Sequence, residues 1–292
     1  MSRTFRCTDI GQLYRSVIHD VLEYGNPRSA RGMLTTEITN AQIVLSNPLA
    51  SRLMTPERNL NQAFACGEFI WMLSGSEDVE MISYYNNNMR RYSDDGKVLA
   101  GAYGPRIMRQ IEYVIETLKK DPDSRQAVLT IWTENPAPSK DIPCTVMMHF
   151  MVNHERRLNL TVYMRSNDVL LGLPYDISSF TLFQNLVSNC LGIPVGVYVH
   201  NVGSLHIYDN DRERLRKILY AKPVYELWPE KMLGIKETND LRYVRDTLAV
   251  MEKAIRLGIP IRPCKKAWNV ECEMQQILMA WKEKKDARKN NS

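Results

Sequence analysis

The sequence has no long apolar run and no repeats, and each absence removes a class of protein. No stretch reaches the ~18 apolar residues that a membrane-spanning helix requires. The segment 1–21 lacks the apolar core of a signal peptide and passes directly into an amphipathic pattern. We therefore predict a cytoplasmic protein with no membrane partner.

Cysteine is sparse and scattered. The six cysteines lie at positions 7, 66, 144, 190, 264 and 272. Because the sequence contains no C-x-x-C pair and no Cys/His cluster, we predict no metal site. A chain of 292 residues does not need a disulfide framework, so we expect reduced thiols, most of them small apolar fillers.

The charge balance is mildly basic. The formal net charge is +5, with 44% hydrophobic and 24% charged residues, which is ordinary for a globular protein. Such an excess suits small anionic substrates, because a cleft lined by one sign of charge concentrates the opposite sign. The Lys-rich segment 282–292 is typical of a solvated end, so we predict no obligatory nucleic-acid partner.

The hydrophobic periodicity alternates between helical and extended patterns. It predicts helices at 9–23, 60–74, 106–119, 175–191, 208–220, 238–257 and 268–285. It predicts strands at 34–46, 126–133, 145–152, 157–165 and 195–202, with an irregular loop at 79–103. With no long linker, the simplest interpretation is one α+β domain, spanning residues 1–292, with a mixed sheet.

Two residues raise a chemical question by their positions. Glu68 lies in the apolar segment AFACGEFIWML, where it is either part of a narrow polar stripe or a general acid/base with a raised pKa. Cys144 follows Pro143 at a turn that enters a strand. It is either a packed thiol or a thiolate nucleophile.

Three further groups of polar residues follow. Arg165 and Ser166 suit a phosphate, as a bidentate fork beside a hydroxyl donor, although an ordinary surface turn is equally compatible. His206 and Tyr208 alternate on one face of an extended segment and can bind a hydroxyl, or can be two half-buried amphipathic residues. Asp176 is a carboxylate without an obvious partner in a segment that otherwise resembles core.

Taken in order, these segments resemble the thymidylate synthase superfamily over about residues 10–220. The matching segments are GEFIWMLSG, GAYGPR, DPDSRQAVLTIW, a Cys after Pro, RSND, LGLPYDISSF and GSLHIY. The resemblance implies an α+β thymidylate synthase-like fold, with a mixed sheet packed by helices and a homodimer formed through the sheet. Residues of about 225–292 fall outside it and form a divergent, helical C-terminal part.

The resemblance also implies catalytic roles. Cys144 would add as a thiolate to C6 of a pyrimidine nucleotide, and Glu68 would organise water and assist proton transfers. Tyr103 would close the pocket near Cys144. Asp168, followed by Gly172, would hold the pterin of 5,10-methylenetetrahydrofolate, the co-substrate.

The remaining implied roles concern the nucleotide. Arg165, Ser166 and an Arg125 from the partner subunit would bind the 5′-phosphate, with Arg28 or Arg31 as a further contact. His206 and Tyr208 would hold the 3′-hydroxyl of the sugar.

Several departures distinguish this chain from ordinary synthases. Asp176 stands where uracil-reading enzymes carry Asn, and a carboxyl group suits cytosine, since it accepts from the 4-amino group and, when protonated, donates to N3. Ser204 stands where synthases usually carry an acid. The segment 84–92 has no Trp, and the C-terminus lacks the short apolar tail that closes a synthase site. These features resemble the deoxycytidylate hydroxymethylases and favour water over hydride as the final reactant.

We therefore expect dCMP 5-hydroxymethylation, a one-carbon transfer from methylenetetrahydrofolate followed by addition of water. Such a product would serve DNA modification if the chain is phage-encoded and acts in the host cytoplasm. The alternatives are a dCMP 5-methyltransferase that uses folate hydride, a CMP 5-hydroxymethylase, and a non-catalytic nucleotide- or RNA-binding relative.

Overall fold

A computed structural model describes residues 2–30, 32–134, 136–232, 240–265 and 269–290. The strands in this part are β1 (Arg3–Cys7), β2 (Asn26–Ala30), β3 (Met33–Leu45), β4 (Arg52–Leu53), β5 (Val128–Thr130), β6 (Thr145–Val152), β7 (Leu158–Asp168), β8 (Val195–Tyr208) and β9 (Tyr225–Glu226). The α-helices are α1 (Ile10–Tyr24), α2 (Gln62–Leu73), α3 (Val79–Tyr85), α4 (Gly104–Met108), α5 (Ile111–Lys120), α6 (Leu173–Leu191), α7 (Arg212–Tyr220), α8 (Leu241–Leu257) and α9 (Val270–Asn290).

The main sheet is mixed, which confirms the predicted α+β class. Its strand order is β1-β3-β8-β7-β6-β5, with β2 pairing β3 as well. The pairs β1–β3 and β7–β8 are parallel and the remaining pairs are antiparallel. Within the described residues, no helix has the length and hydropathy that are needed to cross a bilayer.

The first helix shows how the sequence sets these elements. The side chain of Asp9 accepts a hydrogen bond from the amide of Gln12 at 2.9 Å, which caps α1. The helix buries an apolar face that includes Leu13 and Val17, as its periodicity predicts. Helix α6 is buried along most of its length and ends at Gly192, whose positive φ of 68° favours glycine.

The parallel strands β7 and β8 bring several of the predicted site residues together. Ser166 pairs with Ser204 and Asp168 with His206, so the polar residues of both strands reach the same end of the sheet. The chain then turns through residues 169–172 into α6, which brings Asp176 in the first turn of that helix close to the strand ends.

The prediction for residues 79–119 was partly wrong. The segment 79–103 is not wholly irregular, because Asp78 caps α3 through a 2.9 Å hydrogen bond from the amide of Glu80, and a 3-10 turn follows at Asn87–Tyr92. The predicted helix 106–119 is broken into α4 and α5 at Gln110. The Gln110 side chain exchanges two hydrogen bonds with the backbone of Thr130. At the break, Gln110 therefore pairs with backbone groups of the edge strand β5.

Three boundaries also moved. Strand β5 covers only Val128–Thr130 of the predicted 126–133, while β8 continues to Tyr208 beyond the predicted end at 202. Helix α7 begins at Arg212 rather than 208, because β8 continues through Tyr208 and a 3-10 turn occupies Asp209–Asp211.

The C-terminal helices pack against the helix that carries Glu68 and against α3. The hydroxyl of Tyr85 on α3 donates to Glu252 Oε1 on α8 at 2.8 Å, and Glu252 also binds Arg256. The Trp281 ring of α9 lies 5.2 Å from the Tyr85 ring. On α2, a Cβ added to Gly67 would lie 2.5 Å from the Tyr85 ring, so α2 and α3 are in close contact.

The expectation of reduced thiols was wrong for one pair. Cys264 and Cys272 form a disulfide, with Cα atoms 5.5 Å apart. The chain before α9 folds back onto the first turns of that helix, where Gln275 accepts from the amide of Cys264. By contrast, Cys66 and Cys190 are buried in the core, and burial raises the pKa of each thiol to about 12.

Candidate active site

The segment that carries Cys144 is held from both sides. The Tyr103 hydroxyl accepts hydrogen bonds from the amides of Cys144 and Thr145, each at 3.3 Å. Arg165 donates through Nε to the carbonyl of Pro143 at 2.9 Å and through Nη2 to that of Ile142 at 3.0 Å. The sequence analysis assigned Arg165 to a phosphate, and the structure shows that it also fixes the approach to the half-buried Cys144.

Tyr103 lies against both Cys144 and the start of α6. Burial raises the pKa of its phenol, and the neighbouring Asp176 and Cys144 raise it further. Its ring stacks on Phe180 with centroids 6.4 Å apart. Because its hydroxyl stays protonated, Tyr103 keeps a proton available beside Cys144 while accepting from the two amides.

Glu68 is half-buried on α2 and faces α6. Burial raises the pKa of its carboxyl to about 8, and the charge of Asp176 adds to this, while Ser179 lowers it. Ser179 Oγ lies 3.5 Å from Glu68 Oε2, at the outer limit of a hydrogen bond. A carboxyl that is largely protonated near neutral pH can act as a general acid.

Asp176 is the second carboxyl of this cluster. Burial raises its pKa to about 7, opposed by a hydrogen bond from Asn167 Nδ2 to Asp176 Oδ2 at 2.7 Å. A Cβ added at Gly172 would lie 2.9 Å from Asn167 Nδ2 and 3.1 Å from Asp176 Oδ2. Gly172 was assigned to the cofactor; the structure shows in addition that its lack of a side chain leaves room for this hydrogen bond.

The sequence analysis missed the residues behind Asp176. His200 Nε2 lies 3.0 Å from Asn167 Oδ1, and the Tyr198 hydroxyl lies 2.7 Å from His200 Nδ1. Tyr198 and His200 are fully buried on β8. Their alternation with Val202 on one face of the strand was a usable signal, since it predicts a polar pair directed into the core.

Asp168 has one satisfied oxygen and one unsatisfied oxygen. Its Oδ1 accepts from the amides of Leu170 and Leu171 at 2.7 and 2.8 Å. Its Oδ2 is buried and has no hydrogen-bond partner within the described part of the chain. Burial raises the pKa of this carboxyl. A buried acceptor without a donor fits an N–H group of a bound heterocycle, such as a pterin.

A carboxylate lies beside residues that were predicted to bind the sugar and the phosphate. Ser204 Oγ donates to Glu37 Oε2 at 2.5 Å, and Arg28 Nη1 donates to Glu37 Oε1 at 2.9 Å. Nearby on β8, the rings of His206 and Tyr208 meet edge to face with centroids 5.4 Å apart. The sequence analysis did not identify Glu37, whose partners come from other strands.

Not every predicted residue joins this cluster within one chain. Arg125 is exposed just before β5, and strands β6 and β7 separate that edge from β8. Its contribution from a partner subunit stays a prediction. Ser166 is half-buried at the end of β7. The alternative phosphate contact Arg31 lies outside the described residues.

Among those that are described, no group of three His, Cys, Asp or Glu side chains could hold a metal ion.

A family model described as thymidylate synthase matches residues 12–247, so the chain belongs to the thymidylate synthase family, as the resemblance predicted.

Two relatives of this chain share one name. The chain is 32% identical over 230 residues to the "Deoxyuridylate hydroxymethyltransferase" of Bacillus phage SP01, which covers 71% of this chain and 59% of the relative. It is 33% identical over 207 residues to the protein of the same name from Pseudomonas phage M6, covering 68% and 57%. The chain thus aligns with less than two thirds of either relative.

Proposed function

We propose that this protein is a dCMP 5-hydroxymethylase. It transfers a one-carbon unit from 5,10-methylenetetrahydrofolate to C5 of dCMP and adds water, giving 5-hydroxymethyl-dCMP and tetrahydrofolate. The observation that carries the proposal is the position of the Asp176 carboxyl near Glu68, Tyr103 and Cys144. The pKa of this carboxyl is raised to about 7.

The reaction uses Cys144 and Glu68 at opposite ends of the pyrimidine C5–C6 bond. Addition of the Cys144 thiolate to C6 makes C5 nucleophilic, and C5 forms a bond to the one-carbon unit that the folate supplies. After C5 loses its proton and tetrahydrofolate leaves, water adds to the exocyclic methylene and the thiolate leaves C6. Glu68 positions that water and moves the protons, since its pKa of about 8 lets it exchange a proton near neutral pH.

The base is read by Asp176. One oxygen of the Asp176 carboxyl accepts a hydrogen bond from the 4-amino group of cytosine. The other oxygen and ring N3 share a single proton, which forms the second hydrogen bond. A pKa of about 7 allows this proton to be present near neutral pH. Uracil presents an acceptor at position 4 and a donor at N3, so an ionised carboxylate would face the O4 acceptor unpaired.

We propose that the C-terminal helices belong to the same catalytic domain. In α9, Lys285 Nζ donates to the carbonyl of Tyr84 at 2.6 Å and lies 3.6 Å above the Tyr84 ring. Helix α9 is therefore packed against α3.

Phosphate binding needs residues from two copies of the chain. Arg165 keeps Nη1 for a phosphate after binding the carbonyls of Pro143 and Ile142. Ser166 and Arg28 lie at the same end of the sheet, and Arg28 is oriented by Glu37. We propose that a homodimer formed through the sheet adds Arg125 of the second subunit.

A second candidate function is hydroxymethylation of dUMP. The names of both phage relatives favour it. A protonated Asp176 could also donate to O4 while accepting from N3–H. The dCMP 5-methyltransferase and the CMP 5-hydroxymethylase differ from the first proposal only in the final reactant or in the sugar.

One experiment separates these candidates. The enzyme is incubated with methylenetetrahydrofolate and dCMP, CMP or dUMP, and product masses and the folate product are measured. We expect a gain of CH2O on dCMP with tetrahydrofolate as co-product. Dihydrofolate formation would instead indicate methylation, and turnover of dUMP alone would refute the assignment of the base.

A further inference from the structure

The buried side chains behind Asp176 form a continuous hydrogen-bonded chain. It runs from Tyr198 through His200 and Asn167 to Asp176, with distances of 2.7, 3.0 and 2.7 Å. Tyr198 and His200 are 0% exposed and Asn167 is 4% exposed, so water does not compete for these bonds. None of the three side chains has a role in the reaction proposed above.

The chain has one consistent direction. Burial lowers the pKa of His200 to about 3, so its imidazole is neutral and one ring nitrogen donates while the other accepts. His200 Nδ1 is the hydrogen-bond partner that the described residues give the Tyr198 hydroxyl. The phenol therefore donates to Nδ1, Nε2–H donates to Asn167 Oδ1, and the Asn167 amide nitrogen faces Asp176 Oδ2.

The opposite direction is unfavourable. It would turn the Asn167 oxygen toward Asp176, place a proton on His200 Nδ1 and leave the buried Tyr198 hydroxyl proton without an acceptor. A side chain added at Gly172 would enter this corner, so the Asn167–Asp176 contact has little freedom to rearrange.

We propose that Tyr198, His200 and Asn167 are positioning residues that determine which base is bound, because they always present an N–H donor to the Oδ2 side of residue 176. Asn167 stands between Ser166 and Asp168 on β7, and Glu68 lies on α2. We place pyrimidine C6 at Cys144, ring N3 on the Oδ2 side of Asp176 and the substituent at position 4 on the Oδ1 side. This inference rests on the proposed pyrimidine chemistry.

An amide at position 176 would be held in one orientation. In Asp176→Asn, the Asn167 donor holds the amide oxygen on the N3 side, so the amide nitrogen must face position 4. That side chain accepts from N3–H and donates to O4, which is the pattern of uracil. The orientation of the new amide is set by Tyr198 and His200, and not by the ligand.

The first test measures the histidine directly. Nitrogen-15 NMR of the full-length enzyme reports the tautomer of His200, which is assigned by its loss in His200→Gln. We expect the Nε2–H tautomer throughout roughly pH 5 to 8, the range in which an ordinary histidine titrates. A proton on Nδ1, or titration within that range, would overturn the inference. This result does not depend on which nucleotide is the substrate.

The second test uses base preference. Ratios of kcat/KM for dUMP and dCMP are compared in Asp176→Asn and in Asp176→Asn with Tyr198→Phe. We expect the first variant to prefer dUMP, and the second change to reduce that preference about tenfold, the scale of one lost hydrogen bond. Tyr113→Phe, at an exposed tyrosine of α5, is the matched control and should leave the ratio unchanged.

Two outcomes would count against the inference. An unchanged ratio in the double variant, or an equal loss with Tyr113→Phe, would show that the buried chain does not orient residue 176. A wild-type enzyme that uses only dUMP would instead refute the proposed dCMP specificity, and the tautomer measurement would still decide the direction of the chain.

Discussion

The substitution Gly172→Ala should weaken recognition of the base without damaging the fold. The backbone angles at Gly172, φ −99° and ψ −55°, are open to alanine, so no backbone strain is introduced. The new methyl group would lie 2.9 Å from Asn167 Nδ2, which the 2.7 Å bond to Asp176 Oδ2 holds in place. One of the two contacts must lengthen.

The expected magnitude follows from the bond that is lost. A hydrogen bond to a charged group contributes about 1.5–3 kcal/mol, which corresponds to roughly a ten- to hundredfold loss in kcat/KM. The pKa of Asp176 should also rise above about 7, because Asn167 lowers it in the native enzyme. The alkaline limb of the pH profile that reports Asp176 should then move to higher pH.

The assay combines kinetics with a double-variant cycle. The kcat/KM for the preferred nucleotide is measured for Gly172→Ala, for Asn167→Ser and for both together, with thermal unfolding as the control for folding. If the methyl group acts through Asn167, the double variant should lose no more than the worse single variant. Additive losses, or a wild-type rate for Gly172→Ala, would refute the reasoning.

Three other predictions follow from the site and its surroundings. Glu68→Gln should lower kcat/KM and make its alkaline limb shallower above about pH 8, because only Asp176, with a pKa of about 7, then still titrates; it should also raise the melting temperature at neutral pH, because burial disfavours the ionised carboxylate. Mixing inactive Arg125→Ala and Cys144→Ala homodimers should restore activity, measured by product formation, since one heterodimer site is intact; no recovery would exclude a shared site. Tyr85→Phe should lower the free energy of unfolding by about 1 to 3 kcal/mol in a denaturant titration, because buried Glu252 loses a donor.

The sequence predicted the parts of this molecule that depend on local patterns. Helix α1 was readable from Asp9 and its apolar period, a signal that is contained within one element and needs no knowledge of strand pairing. The roles of Cys144 and Glu68 were inferred from the order of several separated segments, and they stay predictions.

The rest depends on partners that are distant in sequence. His200 acquires its role only when β8 lies parallel to β7 and brings it to Asn167. The break at Gln110 depends on a strand edge twenty residues later, at Thr130. The Cys264–Cys272 pair depends on the chain folding back onto α9. No periodicity in a single segment carries this information.

The carboxylate at Glu37 has a consequence for comparing this chain with its family. The resemblance to synthases predicts an acid at position 204, where this chain carries Ser204. In the folded sheet, a carboxylate stands on the neighbouring strand, where Glu37 binds both Ser204 and Arg28. Introducing an acid by Ser204→Asp would therefore set two carboxylates against one guanidinium, so the residue type expected from the synthases would create a charge conflict in this protein.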